Sequence, residues 1–418
     1  MLQRTFVLRS LPVIGTLALG VALNCGGGGG DGSGQTPSST PPTATQAQFL
    51  QAAGRCATDL YAQAAEATAA LDAAVGAYAA DPSVANRDAA RRAWEVANDL
   101  WQQAEVFQFG PAAPATLPGG RGLREGVYAW PLVSRCAVEQ TLVAKGYEAP
   151  SFTATSLANT RGLAALEYLL FSEDTNNACG ASASINTAGT WAALAADPAA
   201  FSAAKATYAR VVAADVAQRV RTLADAWSPA GGNFGAEVAN AGAGSATYRS
   251  GQDALNAINN ALFYVEVWVR DQKLAIPLAL SMTRGCAMPV NGICPNTLES
   301  PFANRSQRNV RSNLVGFRKL FRGCDDDAGA GVGFDDLLTG TGAEGAELAT
   351  LMAAQLDASF AAVDALPEGA MTEASIAAQK PAVTNVFTSV GNLVSLMKSQ
   401  FLSVLDLEPP VVSEGDND

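Results

Sequence analysis

No histidine occurs anywhere in the 418 residues. Imidazole is the usual base, proton shuttle and metal ligand near neutral pH, so its absence excludes a Ser–His or Cys–His nucleophile and any zinc site built on histidines. No Cys-x-x-Cys spacing occurs either, which sets aside thiol redox centres and cysteine zinc sites. Positive charge is scarce. The 27 Lys and Arg stand against 39 Asp and Glu, a net charge of −12; that is the wrong sign for holding phosphates, and no nucleic-acid partner is expected. A Gly-rich phosphate loop after a strand is missing, as is the polar–apolar alternation that marks β-strands. The acidic run Asp325–Asp327 lacks the ligand spacing of an EF-hand and reads as a solvated turn.

What is present begins with an export pattern. Arg4 and Arg9 precede an uncharged stretch, Leu11 to Leu23, that has the length of a signal-peptide core and is short for a membrane span. Cys25 follows at once, then Gly26 to Gly30 and a Ser/Thr/Pro/Gly run to about Thr45, the composition of a solvated linker. This is similar to a lipoprotein signal: residues 1–24 are expected to be removed and residues 25–45 to form a tether lipidated at Cys25. The expected location is the cell envelope, anchored to the outer membrane and facing periplasm or surface. Six other cysteines, Cys56, Cys136, Cys179, Cys286, Cys294 and Cys324, suit up to three disulfides in an oxidising compartment. Only Cys286 with Cys294 is singled out, because Pro289, Asn291 and Gly292 let the short loop between them close.

Past the tether, apolar residues return every three or four positions, and the expected fold is all-α. Helices are predicted over about 46–80, 83–109, 160–172, 197–227, 252–275, 306–322, 344–365 and 373–406, with stops at Gly110-Pro111, Pro229 to Gly232 and Gly323 to Gly333. The Gly/Ala/Ser stretch from Pro229 to Ser245 divides the body into two helical bundles, 46–230 and 245–406, followed by an acidic tail, 407–418. Arg305, Arg308, Arg311, Arg318, Lys319 and Arg322 crowd one helix, which reads as a solvated face balanced by acids elsewhere.

Stripes such as Leu348, Met352, Leu356, Phe360 and Val363 are core packing. Polar residues on such stripes are more informative. Trp94, Trp101 and Glu105 fall on one helical face, so Glu105 points inward; Glu167 sits among Leu163, Leu166 and Leu170 and is expected to be buried too. A buried carboxyl needs a partner, a metal or a proton. Arg161, Arg270, Lys273, Tyr168 or a cation from solvent are the candidates. Glu299 lies with Ser300 in a proline-bearing loop entering the basic helix.

The run Arg161-Gly162-Leu163-Ala164-Ala165-Leu166-Glu167-Tyr168-Leu169-Leu170-Phe171 resembles the central motif of the imelysin-like family, Gly-x-His-x-x-Glu followed by an aromatic and leucines. The surroundings are similar in order: Trp94, Trp101, Glu105, Phe107 and Gly110-Pro111, then Trp130-Pro131; Trp227 to Phe234; Lys273-Leu274 with Pro277-Leu278; Glu299-Ser300 with Asn304 to Ser306; and Gly333 to Leu338. The resemblance implies a pair of helix bundles with a site at their junction, in envelope proteins associated with iron or other metal uptake and historically filed as metallopeptidases. The family's histidine position is Ala164 here, and a methyl group neither binds metal nor moves a proton. Leu405 to Pro410 also departs from the family's Gly- and Asp-rich end.

Three readings follow. The first is a non-enzymatic imelysin-like binding protein that keeps a pocket lined by Glu167, Glu105, Glu299, Ser300 and Arg161 for a ligand, an envelope partner protein, or a divalent or iron cation held by Glu167 and Glu105. The second is a metallopeptidase-type enzyme. The third is a structural or protein-interaction lipoprotein whose buried acids serve only as internal hydrogen-bond partners. Convergence of the three acids on one reachable cavity favours the first; separate capping of each favours the third.

Overall fold

The computed structural model describes residues 44–281 and 284–411. The signal segment, the Cys25 tether and the end of the acidic tail lie outside the described residues. Among those described there is no strand; an isolated bridge joins Val290 and Ile293. The fold is all-α. Its longer helices are α1 (Ala44–Ala80), α2 (Val84–Ala104), α3 (Arg135–Ala144), α4 (Gly162–Phe171), α5 (Pro198–Trp227), α6 (Gly251–Leu262), α7 (Ser306–Arg322), α8 (Ala343–Asp364) and α9 (Ile376–Leu396). None is long and apolar enough to cross a membrane.

Alanine shapes the first half. In α1, Leu50, Ala57, Ala64 and Leu71 recur every seven residues and are fully buried, a narrow seam that lets α1 lie between α2 and α5. Trp94 and Trp101 fill the space behind it, both essentially inaccessible. In the second half, α9 packs on α8 and on a π-helical stretch, Val265–Ala275, that continues from α6. The halves meet where α2 crosses α7. Gly316 makes that crossing close, since a Cβ there would sit 2.4 Å from the Gln103 carbonyl oxygen. One apolar core runs continuously from Phe49 to Leu407.

Three disulfides close the chain: Cys286–Cys294 as expected, together with Cys136–Cys179 and Cys56–Cys324. Helix α2 ends at Ala104, short of the predicted 109, because Gly110-Pro111 begins a turn that Val106 to Phe109 already enter. Helix α3 is not among the predicted helices: it is only ten residues long, although Ser134 caps its start. The basic face of α7 is answered by acids: Arg311 by Asp364, Arg322 by Asp357, Lys319 by Asp327, and Arg305 by Asp99.

Candidate functional site

Helix α4 is nearly all apolar and buried from Gly162 to Leu170, so its one charged residue is set in the core by its neighbours. Gly162 opens it at φ +81°, where the backbone presses against Val127; the Leu163 amide donates to the Val127 carbonyl at 2.8 Å. Glu167 therefore faces the loop that enters α7. Its Oε1 accepts from the Phe302 and Ala303 amides, each at 2.9 Å. Burial drives its carboxyl up to about 8; the two amides and the Ser300 hydroxyl oppose that rise, and nearby Glu299 adds to it. At neutral pH the side chain is thus mostly a neutral acid, which lets it donate as well as accept.

The loop it holds is unusual. Ser300 and Asn304 both sit at positive φ, 48° and 55°, a conformation that non-glycine residues adopt at a cost. This bend turns Glu299 into the seam between the halves. Its Oε1 accepts from Tyr128 Oη at 2.6 Å and Gln102 Nε2 at 3.0 Å, and faces Lys273 Nζ at 3.0 Å; its Oε2 is buried without a hydrogen-bond partner. Lys273 is itself 1% exposed and also donates to Gln102 Oε1 and Asn313 Oδ1. Burial pulls its ammonium below the usual lysine range, against the attraction of Glu299. The network continues from Asn98 to Asn309 and from Asn309 to Ser300, so amides on α2 and α7 stitch the seam.

Glu105 lies at the end of α2, 6% exposed, with Gln108 Nε2 at 3.3 Å and Arg124 at 3.6 Å. Burial raises its carboxyl, opposed by Arg124 and Lys273. Arg161 pairs with Asp215 at 3.3 Å. The other candidate partners are also engaged elsewhere: Arg270 with Asp271, and Tyr168 with Glu139. Of the candidate residues, the structure places Glu167 and Ser300 on one cavity of about 670 Å³, together with Ala164, Trp130, Gln272 and Thr297. Ala164 and Glu167 share its wall as their three-residue spacing requires. Glu299 is behind that wall, tied to Lys273.

The resemblance to a family filed as metallopeptidases calls for a metal, and the donor set speaks against a resident one. The histidine position is a methyl group, Glu299 is neutralised by an ammonium, and among the described residues no three His, Cys, Asp or Glu side chains are placed to hold an ion. These residues do not fit a metal centre made of protein ligands alone. The sequence did carry a signal for the network it missed: Asn98 and Gln102 on α2, and Asn309 and Asn313 on α7, are polar pairs four apart on buried faces.

Comparison with known proteins agrees with this architecture. An imelysin-like protein of Psychrobacter arcticum 273-4 superposes with a TM-score of 0.62 at 18% identity, over 87% of this chain and 96% of that one. A structure described as an iron-regulated protein A precursor, from Parabacteroides distasonis ATCC 8503, gives 0.61 at 18% identity, over 86% and 97%. In sequence, Iron-regulated protein A of Synechococcus elongatus is 46% identical over 52 residues, a match that spans 12% of this chain and only 15% of that protein's length. The imelysin family model matches residues 57–397, which takes in every long helix beyond the first turns of α1, the Gly162-to-Glu167 motif and the Glu299 loop. The chain belongs to the imelysin family.

Proposed function

We propose that this protein is a non-enzymatic binding protein of the cell envelope, tethered through a lipid on Cys25, that takes a small ligand in the cavity over Ala164 and Glu167. One observation carries the reading: a cavity of about 670 Å³, within the size range of ligand sites, bounded by a mostly neutral carboxyl at Glu167, the Ser300 hydroxyl, Gln272, Thr297 and the Trp130 ring. The wall offers donors and acceptors, and Ala164 leaves room where the family motif carries an imidazole. Glu105 and Arg161 serve the surrounding frame through Arg124 and Asp215. The iron association carried by the names of two relatives supports a role in iron handling.

A second reading, direct cation binding, rests on Glu167, whose carboxyl can lose its proton to an ion that brings its own water ligands. Calorimetric titration of the folded chain with iron, calcium, manganese, zinc and copper distinguishes the two. Glu167→Gln keeps an acceptor for the Phe302 and Ala303 amides and a donor toward the cavity, but it cannot become an anion. Cation binding by the wild type that this variant abolishes supports the second reading. The first predicts no tight binding of any bare ion by either protein.

A further inference from the structure

A second cavity, of about 260 Å³, lies between the loop that follows α2 and the junction of α6 with the π-helical stretch. It shares no lining residue with the Glu167 cavity. Its walls are held in place by the fold. On the loop side, tight turns fix Leu117, whose amide donates to the Pro114 carbonyl at 3.0 Å and whose carbonyl accepts from the Gly120 amide at 2.9 Å. On the helix side, the half-buried Trp268 stacks on the buried Tyr264 with ring centroids 6.2 Å apart, and Phe263 and Val267 extend the apolar surface. Val411 of the C-terminal strap, Leu405–Val411, borders the cavity as well.

Three side chains of this wall carry N–H groups that the fold leaves unused. Arg124 faces Glu105 at 3.6 Å, beyond hydrogen-bond reach, and among the described residues its guanidinium donates no hydrogen bond. Asn260 Oδ1 accepts from the Val411 amide at 3.0 Å, which orients the side chain and leaves its Nδ2 without an acceptor among the described residues. The Trp268 Nε1 donor is in the same position. Among the described lining residues there is no carboxylate, and Arg124 is the charged one. Glu105 lies off the wall, bonded to Gln108 Nε2 at 3.3 Å and to the Tyr264 hydroxyl, so it steadies Arg124 without filling its donors. A guanidinium presents five N–H groups in a rigid fork that suits an oxyanion.

We infer that this cavity is a binding site for a small aromatic carboxylate, separate from the ligand of the Glu167 cavity. An apolar cavity of about 150 Å³ takes up benzene, so about 260 Å³ admits one or two fused rings bearing a carboxylate. Trp268, Leu117 and Val267 bury the ring, and the carboxylate supplies the acceptor that Arg124 and Asn260 Nδ2 lack. A cationic ligand would meet the like charge of Arg124, and a neutral ring would leave the guanidinium unpaired.

The probe is naphthoate, titrated into the full chain by calorimetry. Tryptophan fluorescence would not separate the two cavities, because Trp268 lies 6.5 Å from Trp130, which lines the other. One saturable site with a Kd below about 1 mM is expected, and naphthylmethanol, the uncharged counterpart, should bind at least about tenfold more weakly. Arg124→Gln should weaken naphthoate at least about tenfold and leave naphthylmethanol unchanged, a split that a general loss of structure would not produce. Leu117→Trp fills the cavity with Arg124 and Glu105 left in place and should weaken both probes at least about tenfold; it decides alone where Arg124→Gln does not fold. No saturable binding by the wild type, equal affinity for acid and alcohol, or equal affinity of wild type and Arg124→Gln for naphthoate overturns the inference. So does loss of naphthoate binding in Thr297→Trp but not in Leu117→Trp, which would put the probe in the Glu167 cavity.

Discussion

Replace Glu167 by glutamine and follow stability against pH. In the unfolded chain a glutamate ionises near 4.5, whereas in the fold burial holds Glu167 protonated to about 8. Between those values the native state carries one proton that the unfolded state has released. A carboxyl raised by folding favours the native state least at high pH: its contribution is intact below about 4.5 and is lost progressively as pH climbs to about 8. The slope is about 1.4 kcal/mol per pH unit, and the accumulated loss about 3 to 5 kcal/mol after allowing for water penetration near the charged form. Glutamine has nothing to lose. Urea denaturation of both proteins at pH 5, 6, 7 and 8 isolates this group, because every other titrating residue is common to the two. The stability difference, variant minus wild type, should rise steadily from pH 5 to pH 8. A flat difference would refute the reasoning, since it would mean that the Phe302 and Ala303 amides outweigh burial and that Glu167 is already ionised at pH 5.

Lys273→Met strands Glu299 in the core and should cost about 3 to 5 kcal/mol by urea denaturation; combining it with Glu299→Gln should restore much of that, because no charge is then left unpaired. Gly316→Ala drives a methyl into the Gln103 carbonyl at the α2–α7 crossing and should destabilise by about 1 to 3 kcal/mol, without loss of helicity by circular dichroism. Cys56→Ala with Cys324→Ala opens a loop of sequence separation 268; chain entropy alone predicts a loss of about 6 kcal/mol, read as a lower urea midpoint, and reduction of the wild type, which also opens Cys136–Cys179 and Cys286–Cys294, should cost at least as much.

The all-α fold was legible because 3.6-residue periodicity is a local property, and the seam Leu50, Ala57, Ala64 and Leu71 shows it without ambiguity. The burial of Glu167 was legible for the same reason: three leucines on one face of a short helix leave a fourth position nowhere else to go. What each acid touches was not. Glu167 is answered by backbone amides of Phe302 and Ala303, about 135 residues away, and backbone donors have no signature in a sequence. Lys273 was a candidate partner for the buried acids, yet its choice of Glu299 depends on positive-φ turns at Ser300 and Asn304, which neither residue type announces. The Cys286–Cys294 pairing followed from loop closure over eight residues, whereas Cys56–Cys324 is set by where α1 and the end of α7 meet after folding.

That last crosslink also decides where a mechanical load would travel. Tension applied between Ala44 and Val411 enters through the first turns of α1, crosses from Cys56 to Cys324 through the sulfurs, and leaves along α8 and α9. Residues 57–323 form a covalent loop beside that line and bear none of it. Pulling would strip α8 and α9 and the strap, yet the chain could extend no further until the bond is reduced, and the Glu167 cavity would lose Glu373 while keeping its other walls.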